Sequence, residues 1–132
     1  MNVLVDTSVW SAAIRRGGPT PPQADVLRDL VQQDRAELIG PVRQELLSGI
    51  RHSVQYERVK SYLRAFVDLP IETADYEHAA EYFNTCRARG IQGSNTDYLL
   101  CAVAVRRGMS IFTTDADFDH FSRHIPLVLH RS

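Results

Sequence analysis

Short apolar runs alternate along the chain with longer stretches in which apolar residues recur every three to four positions. VLV at residues 3–5 reads as a buried strand, and from Asp6 to Ile14 the positions Val9, Trp10, Ala13 and Ile14 have helical spacing. GGPTPP at 17–22 breaks the pattern and opens a helix that carries Val26, Leu27, Leu30 and Val31 on one face and ends near Asp34. AELIG at 36–40 predicts a second strand. Pro41 suits the first turn of the helix that follows, because its missing N–H would have no partner there. That helix holds Glu45, Leu46 and Leu47 and ends at Gly49.

A longer helix over about 53–67 shows Val59, Tyr62, Leu63, Phe66 and Val67, and DLPI then suits a short edge strand. Residues 73–89 predict a helix with Tyr76, Ala79, Ala80 and Phe83 turned inward. After the loop GIQGSN, residues 95–107 form an unusually apolar helix that Gly108 closes. SIFTT predicts a strand, DADFDHF a short helical turn, and PLVL at 126–129 a last strand. Strand-length runs alternating with helices predict an α/β domain whose central parallel sheet has four to five short strands flanked by helices. A chain of 132 residues fits one domain, 1–132. No run approaches the ~20 apolar residues of a membrane span, and no basic leader precedes the first strand, so the expected location is the cytoplasm.

In open parallel sheets ligands bind beyond the carboxyl ends of the strands, so the residue after each apolar run matters most. Asp6 follows the first strand, Asp115 follows SIFTT, Glu45 lies one turn past Pro41, and Asp97 opens the apolar helix on the side of Cys101 and Ala104. Each has an ordinary explanation by itself: Asp6 as a helix cap, Ser94 to Asp97 as a capping box, Asp115 as the cap of the last helix, Glu45 on a solvated face. Four acids converging on one sheet edge are harder to explain that way. Two carboxylates ~5 Å apart repel by about 3 kcal/mol at an effective dielectric near 20. A divalent cation removes that cost, and an all-oxygen ligand set favours Mg²⁺ or Mn²⁺. Thr7, Ser8, Asn95 and Thr114 supply neutral hydrogen bonds that orient such ligands, or simply cap helices.

Composition adjusts this picture in three places. Cys86 and Cys101 form no CxxC pair and read as reduced and packed. His120 and His124 have helical spacing, but Pro126 follows and no third nitrogen or sulfur ligand is evident, which argues against zinc. Of fifteen basic residues only Lys60 is a lysine, and arginine forks match phosphates bidentately. Without the four acids the net charge of −1 becomes +3, so near-neutrality does not exclude a nucleic-acid partner.

DTSVW at 6–10, the helical Glu45, and IQGSNTDYLLCAVAVRRGMSIFTTDADF at 91–118 together resemble a PIN domain, and within that family the VapC-type toxins of toxin–antitoxin pairs. The resemblance spans essentially the whole chain. It implies a PIN-like three-layer fold and a metal-dependent endoribonuclease, homodimeric and held inactive by a cognate VapB-type antitoxin. The implied substrate is structured cellular RNA, a tRNA or an rRNA loop. The family acids map onto Asp6, Glu45, Asp97 and Asp115, and the hydroxyl after the first aspartate onto Thr7 or Ser8. Asp117 falls where an auxiliary ligand is expected, and Asp119 where a solvated side chain is.

The expected chemistry is hydrolysis of an RNA phosphodiester by metal-activated water. Asp6, Asp97 and Asp115 hold one or two ions, and Glu45 positions or deprotonates the water or binds a second ion. Arg15, Arg16, Arg43 and Arg51 are candidates to grip the RNA backbone, and Trp10 and Tyr98 suit core packing better than base stacking. The rival readings fit less well. A phosphoacceptor receiver needs a late lysine that this chain lacks, and a DNA flap nuclease needs a longer chain. A non-catalytic PIN module binding RNA or protein is expected to lack an acid, and none is missing.

Overall fold

The computed structural model describes residues 1–14 and 21–131. Its sheet is parallel, with β1 (Val3–Val5) between β2 (Ala36–Glu37) and β3 (Ser110–Phe112). Val3 pairs with Ala36 on one side and Ser110 on the other, and Val5 pairs with Phe112. All of β1 is buried, as a strand covered on both faces must be, which explains why it reads as a continuous apolar run.

The helices are α1 (Thr7–Ile14), α2 (Pro22–Gln32), α3 (Gly40–Leu47), α4 (Ser53–Leu63), α5 (Thr73–Ala88), α6 (Asn95–Arg107) and α7 (Asp117–Phe121). Helix α6 packs on β1 and β3 and is buried from Tyr98 to Ala104, the central position that its apolar sequence requires. Gly108, at φ 66°, closes it in the left-handed conformation that favours glycine. Trp10 is a core residue: its indole N–H donates to the Val5 carbonyl at 3.2 Å, and its ring meets Phe66 edge-on at 4.9 Å. Among the described residues no helix is long and apolar enough to cross a membrane.

Three expectations change. The fourth and fifth strands contract to single bridges, Leu38 with Asp68 and Ile111 with Leu129. Pro70 and Pro126 lie in those segments, and a proline cannot donate to a ladder. Helix α4 stops at Leu63 instead of continuing to 67, because Arg43 binds its end. The Arg43 guanidinium donates to the carbonyls of Leu63 (2.9 Å) and Phe66 (2.6 Å) and to Asp68 (2.9 Å). Arg43 is therefore a structural residue and not a free grip for RNA.

The inner face of α5 is also rotated from expectation. Ala79 is buried, but Tyr76 and Ala80 are exposed, and the other inward positions are Asp75 and Cys86. A carboxylate occupies the place where an apolar side chain was expected.

Candidate functional site

Because β1 and β3 run parallel, their carboxyl ends share one edge of the sheet. The Val5–Phe112 pairing sets Asp6 beside Thr113, and the Asp6 amide donates to the Phe112 carbonyl at 2.9 Å. Asp6 is only 4% exposed. Its Oδ2 accepts two hydroxyls, Ser8 at 2.8 Å and Thr113 at 2.8 Å. The same hydroxyls carry the bonds onward. Ser8 Oγ accepts the Thr114 amide (3.1 Å), and Thr113 Oγ1 accepts the Asp115 amide (3.0 Å). Asp115 Oδ1 in turn accepts the Asp117 amide at 2.9 Å, which starts α7.

Asp97 comes from the N-terminus of α6. Its Oδ2 accepts the Ser94 amide at 3.0 Å while its own amide donates to Ser94 Oγ at 3.1 Å, a reciprocal capping box. Burial pushes the Asp97 pKa up; the Ser94 bonds oppose this, and the negative charges of Asp6 and Asp115 add to it. Asp97 therefore lies within electrostatic reach of both Asp6 and Asp115. Glu45 stands at the exposed rim, where its Oε1 accepts the Thr7 hydroxyl at 2.8 Å.

A common feature runs through these four carboxylates. Each has one oxygen held by protein donors and the other free of them among the described residues. None takes part in an ion pair among those residues. As they stand, no three His, Cys, Asp or Glu side chains among the described residues are drawn together into a closed ligand cluster. The hydroxyls of Ser8 and Thr113 hold Asp6 by one oxygen only. The donor chemistry fits a hard divalent cation: all oxygen, net negative, with uncommitted lone pairs.

The remaining expected residues divide. Thr7 and Ser8 bond to acids of the set, whereas Thr114 contributes only its amide, and the hydroxyl that orients Asp6 belongs to Thr113. The Asn95 side chain is exposed and makes no hydrogen bond among the described residues. Asp117 is exposed, and the bond it adds to the site is its amide. Arg51 is exposed between α3 and α4, and Arg15 and Arg16 lie outside the described residues. Cys86 and Cys101 are free and buried. Burial, then the charge of Asp97, drives the Cys101 thiol far above its usual range, so it stays protonated.

Residues 3–124 match the PIN domain family. Over 125 residues, 92% of this chain and 92% of its relative, the sequence is 30% identical to the protein named VapC ribonuclease Mb1587 of Mycobacterium bovis. Among solved structures, FitAcB from Neisseria gonorrhoeae shares the fold with a TM-score of 0.77 at 19% identity, covering 97% of this chain and 96% of that one. VapBC2 from Rickettsia felis, bound to a promoter DNA fragment, has a TM-score of 0.77 at 19% identity and covers 98% of both chains. With the fold shared and the sequence matched across most of its length, the chain belongs to the PIN-domain family, in its VapC-type branch.

Proposed function

We propose that this protein is the ribonuclease toxin of a toxin–antitoxin pair, hydrolysing RNA phosphodiesters with a divalent metal. The observation that carries the reading is the set of four carboxylates at one sheet edge, each with an uncommitted oxygen and none with a basic counter-ion among the described residues. Asp6, Asp97 and Asp115 would hold Mg²⁺, with Mn²⁺ able to replace it, and exposed Asp117 would be an auxiliary ligand. When bound, the ion stabilises the charge that builds on the phosphoryl oxygens and lowers the pKa of water. Glu45, at the rim, orients the attacking water or takes its proton, and Thr7 fixes which Glu45 oxygen faces the substrate. Ser8 and Thr113 keep Asp6 in one rotamer, and Ser94 does the same for Asp97. The products are a 5′ phosphate and a 3′ hydroxyl.

The cognate partner is a VapB-type antitoxin, the toxin is a cytoplasmic homodimer, and the substrate is a structured cellular RNA such as a tRNA or an rRNA loop. The relatives support this, being named ribonucleases or described as VapBC assemblies. The test is cleavage of total RNA by the purified chain with Mg²⁺ or Mn²⁺, with chelator, and with Asp97→Asn. Discrete fragments that need both metal and Asp97, with 5′ phosphate ends, are the expected result. Cyclic 2′,3′-phosphate ends overturn the mechanism, because they require the RNA's own hydroxyl as nucleophile. A folded chain that binds the ion without cutting RNA points to a non-catalytic binding module.

A further inference from the structure

Beside the carboxylate edge the chain encloses a cavity of about 270 Å³. Phe83 and Arg87 of α5, Ile91, Gln92 and Gly93 of the following loop, and Tyr98 of α6 line it. Its aromatic side is Phe83, backed by Tyr98. Phe83 and Tyr98 meet edge to face at 5.5 Å, and Tyr98 packs on Phe121 at 4.9 Å. The loop lies directly on these rings: a Cβ at Gly93 would come 2.6 Å from Phe121 and 3.0 Å from Tyr98, so only glycine lets the backbone approach this closely. The Tyr98 hydroxyl is buried and has no hydrogen-bond partner among the described residues.

The cavity is joined to the carboxylates on two sides. Tyr98 follows Asp97 directly, and the loop ends in Ser94, which holds Asp97. Phe121, against which Gly93 and Tyr98 rest, lies on the helix that Asp115 starts. The polar groups around it have the opposite sign to the acids. Arg87, which lines it, is exposed and makes no ion pair among the described residues. Gln92 adds an amide able both to donate and to accept. A partly exposed aromatic ring, an amide and a guanidinium group beside a phosphodiester site are the components with which proteins hold an unstacked base and its adjoining phosphates.

We propose that this cavity is a base-recognition subsite that takes one unpaired nucleobase of the RNA strand whose phosphate lies at the carboxylates. Phe83, backed by the buried ring of Tyr98, supplies the stacking face, Gln92 reads the base edge, and Arg87 holds the neighbouring backbone. The inference rests on the ribonuclease reading for what the strand is. It also assigns an RNA grip to Arg87 in place of Arg43, which the fold has already engaged.

The test is binding of a short single-stranded RNA containing all four bases, and of the same RNA with one base at a time replaced by an abasic site. The protein is the full chain carrying Asp97→Asn, so that the strand is not cut. One abasic position is expected to weaken binding by about tenfold, the size of a single base–aromatic stack. In Gln92→Trp, which fills the cavity mouth, that positional effect disappears. Arg87→Ala weakens every RNA in the set and flattens the salt dependence. Arg64→Ala, which removes an exposed arginine elsewhere, is the control and leaves the pattern intact. An abasic series with no preferred position, or one unchanged in both Gln92→Trp and Arg87→Ala, overturns the proposal. Hydrolysis of bis-nitrophenyl phosphate by the unmodified chain with Mn²⁺ tests the nuclease reading separately. Failure there with a preferred abasic position overturns the nuclease reading and leaves the subsite standing.

Discussion

Helix α6 has a buried carboxylate, Asp75, near one end and a half-buried one, Asp97, at the other, and their surroundings are opposite. At the C-terminal end, Arg106 donates to Asp75 Oδ1 at 2.6 Å and Arg107 to Asp75 Oδ2 at 3.1 Å, while the Glu72 amide binds the same carboxylate at 2.8 Å. Asp75 is 0% exposed, and both its oxygens are engaged. At the N-terminal end, Asp97 faces Asp6 and Asp115, each carboxylate has a free oxygen, and no cation among the described residues pairs with any of them. Burial raises the pKa of both Asp75 and Asp97. For Asp75 the Glu72 amide and the two guanidinium groups outweigh burial and hold it below the usual carboxylate range. For Asp97 the neighbouring acids reinforce burial. The first site has the balance of a structural ion pair, and the second has the imbalance that an external cation relieves.

Substitutions at the two ends should separate these roles. The largest effect is expected from Asp97→Asn: RNA cleavage falls about a thousandfold or more, while thermal stability at neutral pH is unchanged or higher, because an uncompensated charge is gone. Kinetics and a thermal melt on the same preparation check both halves. Asp75→Asn should do the reverse. Leaving Arg106 and Arg107 against a neutral partner costs about 3–5 kcal/mol in a denaturant titration, and the fraction that stays folded still cleaves. Mg²⁺ or Mn²⁺ should raise the melting temperature of the unmodified chain, by about 2.7 kcal/mol of stability at a hundred times its Kd, and much less for Asp97→Asn. Equal metal stabilisation of both proteins would place the ion elsewhere.

Smaller effects follow from the supporting hydroxyls and from pH. Thr113→Val removes a donor to Asp6 and should cost about ten- to a hundredfold in metal affinity, measured by calorimetry, whereas Thr114→Val should cost little. Without metal, the two ends respond to acid with opposite sign. The depressed Asp75 pKa contributes stability that is present above the unfolded carboxylate value of about 3.9 and is lost as pH falls through the folded value. The raised Asp97 pKa makes its charged form destabilising, so lowering the pH through that value restores stability. A pH series of chelator-treated unmodified chain, Asp75→Asn and Asp97→Asn resolves the two contributions.

Part of the candidate site was legible because the relevant signals are local. Asp6 and Asp115 directly follow apolar strands, and Asp97 sits three residues after Ser94 at a helix start, so neighbouring residues alone point to the same sheet edge. Thr113 was missed for Thr114 because the choice depends on the Val5–Phe112 pairing, a register between segments more than a hundred residues apart. Arg43 read as a surface cation because its partners, Leu63, Phe66 and Asp68, lie 20 to 25 residues away along the chain.

The sequence by itself determined the order of helices and strands, the parallel sheet and the end of it at which the acids gather. Those follow from spacing of apolar residues, and periodicity is a property of near neighbours. Tertiary structure decided which charges are neutralised. Asp75 and Asp97 look alike in sequence, each an acid in the first turn of a helix with a capping box. Only packing α5 against α6 brings Arg106 and Arg107 to the first and leaves the second facing Asp6 and Asp115. Coulomb interactions depend on distance through space, and for these groups that distance is set by the fold and not by separation along the chain.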